Sequence, residues 1–409
     1  MSNPGSDVPA VIHLSHFDEH GGAARSAYRL HEGLRRLGAT SRMIVGHKTS
    51  ADPDVTQHVK SFGDKVANRI GYELGVQHAW LPSTRSIGRH PWFRDSDVVQ
   101  LANIHGGWFS LTQLPSMTRG KRLVWCIHDM WSFTGHCGYS YGHDGWLTGC
   151  GACPHLDSYP ALRRDGTKLN WKLKERLYRK LEMSIVAPSR WLGDLARRSP
   201  LLERFPVHVI PYGVDTDFFA PRPRAEARAR LELPAADPLV LVAGLEPRKG
   251  SDLLGRILTV AEARLGRPVS LLVAGGTANA DPPHGFTAHD LGVVDEQTMR
   301  TAYAASDVYL LPTLYDNLPN TVLEALSCET AVVATDVGGL PDMVEDGVNG
   351  LMRPADADAL GEAVGTVLAD ADLRGRLGAA GRRHAVATVG LEQQAKAYLD
   401  LYGRRYDEV

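Results

Sequence analysis

The chain of 409 residues is short of several things, and each shortage narrows its class. It has no run of eighteen apolar residues, so no segment is predicted to span a bilayer as a helix. Its start, "MSNPGSDVPAVIHLSH", has no basic stretch followed by a long apolar core, so no secretory signal is read there. Formal net charge is only −2, which points to neither nucleic acid nor a membrane as a bulk electrostatic partner. Cysteines number five, too few and too unevenly placed for a disulfide framework in the cytosolic setting that the missing signal predicts. No low-complexity tract interrupts the sequence. What remains is an ordinary soluble composition, 43% hydrophobic and 22% charged, in a chain long enough for two domains.

Short apolar runs alternate with longer helical patterns. One set is "AVIHLSH" (10–16), "SRMIVGH" (41–47), "DVVQLAN" (97–103), "RLVWCIHD" (122–129) and "IVAPS" (185–189). A second set is "VHVIPYG" (207–213), "LVLVAGL" (239–245), "VSLLVAG" (269–275), "DVYLLPT" (307–313) and "AVVATDVGG" (331–339). Continuous apolar runs are strands buried on both faces, hence parallel sheets covered by helices. The fold class is therefore α/β, as two doubly wound Rossmann-like domains. The expected division is 1–212, 213–388 and a C-terminal helix over 389–409.

Several residues follow strands, where α/β folds bind ligands. Gly21 and Gly22 lie between the first strand and a helix. There they suit either a phosphate or sugar contact with backbone amides, or a tight turn alone. His128 ends "RLVWCIHD", and is either a site residue or a histidine satisfied by its own loop. Arg248 and Lys249 in "GLEPRKG" suit either a diphosphate grip or a solvated basic turn. Asp316 and Glu324 flank a turn in "LYDNLPNTVLEALSC". Thr321 and Glu324 have the spacing of a capping box, which would make Glu324 structural. Asp316 lies outside that box, and a carboxylate at a strand end suits sugar hydroxyls.

Taken with "PSRWL" (188–192), "VIPYGVDTDFF" (209–219) and "VGGLPDMVEDGVNG" (337–350), these segments resemble the retaining glycosyltransferases of family GT4, which have the GT-B fold. The resemblance runs from about residue 10 to residue 385. "GGAARSAYRLHEGL", "NIHGGW" and "HDMWSFTGHC" are similar to a bacterial subgroup met in polysaccharide assembly. It implies two Rossmann-like domains facing across a cleft. It also implies a nucleotide-sugar donor, UDP- or GDP-linked, held by Gly21, Gly22, Arg248, Lys249, Asp316, Asn317, Leu318 and Glu324. His128 would contact the donor sugar, with Asp316, Arg248 and Lys249 serving the transfer. The chain departs from the family at Leu245, where an arginine is common, and at Tyr212, where many relatives have Asn. No catalytic metal is expected.

The acceptor is expected to be a small molecule or a glycan, in polysaccharide or natural-product synthesis, with His105 either lining its pocket or serving as a structural histidine. An epimerase, a phosphorylase and a non-catalytic nucleotide-sugar binder are the competing activities on this fold. No nucleic acid partner is expected. Residues 163–182 carry eight Lys/Arg against three Asp/Glu, with Leu169, Leu173, Leu177 and Leu181 at i+4 spacing. That pattern suits either contact with the inner face of a membrane or ordinary packing on its own domain.

Within 135–156, Cys150 and Cys153 form C-x-x-C. With Cys137, and with His143 where related sequences often have a fourth cysteine, they make a candidate structural zinc site. His136 and His155 are rival ligands, and a disulfide or three free thiols are the alternatives.

Overall fold

The computed structural model describes residues 8–78, 80–275 and 283–403. The described residues divide into two compact units. One holds the chain up to Gly213 together with the stretch from Leu391 onward; the other is Val214–Gly390.

The first unit is built on a parallel sheet of seven strands. These are β1 (Val11–Phe17), β2 (Ser41–His47), β3 (Val55–Gln57), β4 (Val98–Leu101), β5 (Arg122–Cys126), β6 (Ser184–Ala187) and β7 (Val207–Val209), in the order β3-β2-β1-β4-β5-β6-β7. The second unit has six: β8 (Leu239–Ala243), β9 (Ser270–Ala274), β10 (Ala288–Asp290), β11 (Val308–Leu311), β12 (Ala331–Thr335) and β13 (Leu351–Arg353). Their order is β10-β9-β8-β11-β12-β13. The long central strands have every residue buried, as in "VVQL", "LVLVA" and "AVVAT". Such strands need helices on both faces, and helices cover them.

The helices that matter below are α1 (Gly22–Arg36), α2 (Phe62–Leu74), α3 (Thr167–Tyr178), α4 (Asn320–Ser327) and α5 (Leu391–Gly403). Helix α5 belongs to the first unit because it packs on α1. A Cβ at Gly33 would come within 3.0 Å of the Leu391 carbonyl, so glycine is what lets the two helices approach. Residues 404–409, the end of the expected C-terminal helix, lie outside the described residues.

One expectation needs correction, and one alternative is decided. "VHVIPYG" does not begin the second sheet: β7 pairs in parallel with β6 and closes the first. The basic segment 163–182 follows the ordinary-packing reading. Leu177 and Leu181 are buried and Leu173 packs against the same core, so the stripe is consumed by its own domain; only Leu169 is exposed.

Candidate active site

Each sheet reverses its strand order at one place, between β1 and β4 in the first unit and between β8 and β11 in the second. Parallel sheets open a crevice beyond the carboxyl ends of the strands at that switch point, because the connections leave in opposite directions. The candidate residues sit on the loops beyond these ends. Gly21 and Gly22 follow β1, His105 follows β4, Arg248 and Lys249 follow β8, and Asp316 follows β11.

In the second unit, three loops are fastened together. The Arg248 guanidinium donates to the Tyr315 carbonyl at 2.6 Å and meets the Asp316 carboxylate at 3.4 Å. The Arg248 carbonyl accepts from Leu314 N–H at 2.9 Å and from the Thr313 hydroxyl at 3.1 Å. Gly250 (φ 79°) lies so close to the Pro312 carbonyl that a Cβ would collide with it, and Gly338 (φ 59°) stands in the same relation to the Asp316 carbonyl. Both positions require glycine on two counts, backbone conformation and space. Lys249 folds back, its Nζ donating to the Ala243 carbonyl at 3.0 Å, so its charge lies over the end of β8. Asn317 N–H donates to Asp316 Oδ1, and both Asn317 and Leu318 are buried. Arg248 and Asp316 thus meet on the loops that lead into α4, with the Lys249 ammonium over the end of β8.

Glu324 has no capping role. Helix α4 starts at Asn320 with Pro319 at its N-cap and no side-chain cap. Thr321 is therefore already inside the helix, where its hydroxyl accepts from Tyr309 at 2.7 Å. The Glu324 carboxylate, only 3% exposed, accepts from the Tyr303 hydroxyl at 3.0 Å. Burying a carboxylate is costly without partners, so a structural cap is not what keeps it there.

In the first unit, Gly21 is the N-cap of α1 with φ 86° and ψ 159°, a conformation that is essentially glycine's alone. Nothing lies within 4 Å of where its Cβ would be, so the requirement is one of backbone shape and not of space. His128 Nδ1 lies 2.6 Å from the Tyr212 hydroxyl, and the two rings stack at 5.5 Å. Burial pushes the imidazole down to about 4, against the opposing pull of Asp129, so His128 is neutral at pH 7. Tyr212, where the family often has Asn, is thus the residue that orients His128. His105 is only 3% exposed. Its Nε2–H donates to Asp129 at 3.2 Å, and Nδ1 accepts from Tyr159 at 3.4 Å. It therefore braces Asp129, whose other oxygen accepts from Trp131 N–H. Of the two readings of His105, this geometry is that of a structural histidine.

The cysteine loop does not assemble the expected zinc ligands. Among the described residues no group of three or more His, Cys, Asp or Glu is arranged to hold a metal ion. His143 turns into its own loop, its Nδ1 accepting from Gly145 N–H at 3.4 Å. Cys150 Sγ accepts from Gly135 N–H at 3.2 Å, while Cys153 Sγ approaches His136 Nε2 at 3.5 Å. Cys137, Cys150 and Cys153 are free thiols. The loop after His128 is instead held by Lys174 of α3. This buried ammonium donates to the carbonyls of Trp131 and Thr134 and sits 3.8 Å above the Trp131 ring. Burial lowers its pKa to about 7.

Two parallel-sheet α/β units of this kind are those of the GT-B fold. Two family models match the chain, "Glycosyltransferase Family 4" over residues 20–218 and "Glycosyl transferases group 1" over residues 237–370, so it carries the two domains of a GT4-type glycosyltransferase. It is 36% identical over 218 residues to D-inositol 3-phosphate glycosyltransferase of Xylanimonas cellulosilytica, covering 48% of this chain and 51% of that one. It is 31% identical over 245 residues to alpha-maltose-1-phosphate synthase of Mycobacterium tuberculosis, covering 53% and 62%. The matches thus span about half to three-fifths of those relatives' length. Sucrose-phosphate synthase from Thermosynechococcus elongatus shares the fold, with a TM-score of 0.66 at 21% identity over 96% of this chain and 98% of the other. So does Anabaena HepE, solved with UDP and glucose, with a TM-score of 0.68 at 16% identity over 97% and 100%.

Proposed function

We propose that this protein transfers a hexose from a UDP- or GDP-linked donor to an acceptor nucleophile, with retention at the anomeric carbon. The observation that carries the proposal is the fastening of Arg248 to Tyr315 and Asp316 on the loops ahead of α4, with the Lys249 ammonium over the end of β8. This is an anion site flanked by carboxylates, the pairing that a sugar diphosphate needs. HepE was solved with UDP-glucose, and a relative from Mycolicibacterium smegmatis is named as GDP-mannose-dependent, which supports a nucleotide-sugar donor.

In this reading Arg248, Lys249 and the first-turn amides of α4 hold the diphosphate. Asp316, with Asn317 and Leu318, borders the sugar, and Glu324 holds the ribose hydroxyls. Gly21 and Gly22 offer backbone amides, and neutral His128, set by Tyr212, is the first unit's contribution to the transfer. The bond from the anomeric carbon to the phosphate oxygen breaks, and the bond to the acceptor forms on the same face. The acceptor's proton passes to the departing phosphate, whose charge the two cations stabilise. The acceptor class, glycan or natural product, is read from the family subgroup.

The test is incubation with UDP- and GDP-hexoses, with and without acceptor pools. Acceptor-dependent release of nucleoside diphosphate, with the product's anomeric configuration matching the donor's by NMR, is expected. Sugar release without acceptor would indicate an epimerase or hydrolase, and binding without turnover a non-catalytic protein. Inversion would reject the mechanism.

A further inference from the structure

Helix α2 is inside out. Its apolar residues Phe62, Val66, Ile70 and Leu74 recur every four positions, which on a globular domain is the stripe that faces the core. Here all four are exposed: Phe62 is 80% exposed, Ile70 53% and Leu74 55%. The helix's one buried residue is Asp64. Polar anchors hold it in place. Ser61 and Asp64 form a capping box, Asp64 Oδ1 accepts from Ser83 N–H at 3.1 Å, and Asn68 donates to the Gly107 carbonyl at 2.7 Å. Trp80, 65% exposed, and Val59 extend the apolar face beyond the helix at either end. Between α2 and Trp80 runs a groove of about 480 Å³, lined by Ala67, Ile70, Leu74, Val76 and Leu81 and reaching Gly106 on the loop after β4.

The charge around this face is predominantly positive, with Glu73 and exposed Asp165 as its acids. Residues 59–89 contain Lys60, Lys65, Arg69, Arg85 and Arg89 against Asp64 and Glu73, and Asp64 is buried in the cap. Glu73 is held between Arg69 and Arg163. Exposed Arg164 and Lys168 adjoin the end of α2, where Gly75 packs on the Arg164 carbonyl.

We propose that α2 and Trp80 form a docking face for an anionic lipid bilayer, lying flat in the headgroup layer. Aromatic and branched apolar side chains ringed by Lys and Arg are what an in-plane interfacial helix requires. Charge complementarity selects the occupant: an apolar protein partner would not call for a cationic rim, whereas anionic headgroups do. No helix among the described residues is long and apolar enough to cross a membrane, so the contact is peripheral. The basic helix α3, by contrast, spends its leucines on the core and contributes only its exposed first turn. This inference does not depend on the transferase reading.

The test is co-sedimentation of the full chain with vesicles of phosphatidylcholine, with and without phosphatidylglycerol. Binding to phosphatidylglycerol vesicles, weakened by salt, is expected. The variant Phe62→Ser/Ile70→Ser/Trp80→Ser should lose at least about tenfold of it, and so should Lys65→Glu/Arg69→Glu. Unchanged thermal melts and far-UV circular dichroism of both variants show that they remain folded. Absence of binding, equal binding to neutral vesicles, or variants that bind like the wild type would each overturn the proposal. So would a lipid-free dimer that the triple variant abolishes, since the face would then belong to a second copy.

Discussion

Glu324→Gln isolates charge from shape. The side chain is buried and accepts from Tyr303 at 3.0 Å, a bond that an amide oxygen can still accept. Helix α4 is not capped by this residue, so the substitution removes no cap. What it removes is the negative charge available to ribose hydroxyls. A hydrogen bond to a charged group contributes about 1.5–3 kcal/mol, so affinity for the cognate nucleoside diphosphate should fall about 10- to 150-fold. Tyr303→Phe is the companion. It leaves the carboxylate but removes the hydroxyl that orients it, at about 1 kcal/mol and roughly fivefold in affinity. Titration calorimetry with UDP and GDP reads both, with thermal melts as the control for folding. A Glu324→Gln dissociation constant within twofold of the wild type, in a protein of unchanged Tm, would refute the ribose assignment.

Tyr212→Phe should lower turnover while donor affinity is kept, because it unfastens the His128 ring; steady-state kinetics beside calorimetry checks this. Lys174→Met should cost about 2–5 kcal/mol, because the carbonyls of Trp131 and Thr134 lose their donor; faster amide exchange across 130–138 is the local readout. Stability should fall as pH drops from about 6.5 to 4. His31, which has no exposed surface, is held at about 4 by burial although Asp52 pulls it upward, so over that window the unfolded chain binds the proton and the folded chain does not. The loss is about 3 kcal/mol from this residue, and denaturant titrations at pH 7 and 4.5, with His31→Gln flattening the difference, measure it.

Legibility followed strand length and contact range. The five-residue runs "LVLVA" and "AVVAT" could be read because strands buried on both faces leave continuous apolar text. Strands β3, β10 and β13 are three residues each, too short to stand out. "VHVIPYG" was legible as a strand but its sheet was not, since pairing with β6 is a non-local choice. Helix α2 carries the sharpest lesson. Its i+4 stripe is written like that of any core helix, and only the Asp64 anchor shows which side is out.

The site divides in the same way. Arg248, Lys249, Asp316 and Glu324 stand on loops or a helix directly after strands, so their neighbourhood is local and their chemistry shows in the text. Their partners do not. Tyr303 reaches Glu324 from 21 residues away, and Tyr212 reaches His128 from 84, and no spacing rule marks either. The same limit explains the capping box. Thr321-x-x-Glu324 has the right spacing, but whether Thr321 is the N-cap depends on where the helix begins. Pro319 at the N-cap and the Tyr309 hydroxyl draw Thr321 inside the helix. The glutamate thereby loses the capping box as its explanation, and it stands as a buried carboxylate that accepts from the Tyr303 hydroxyl.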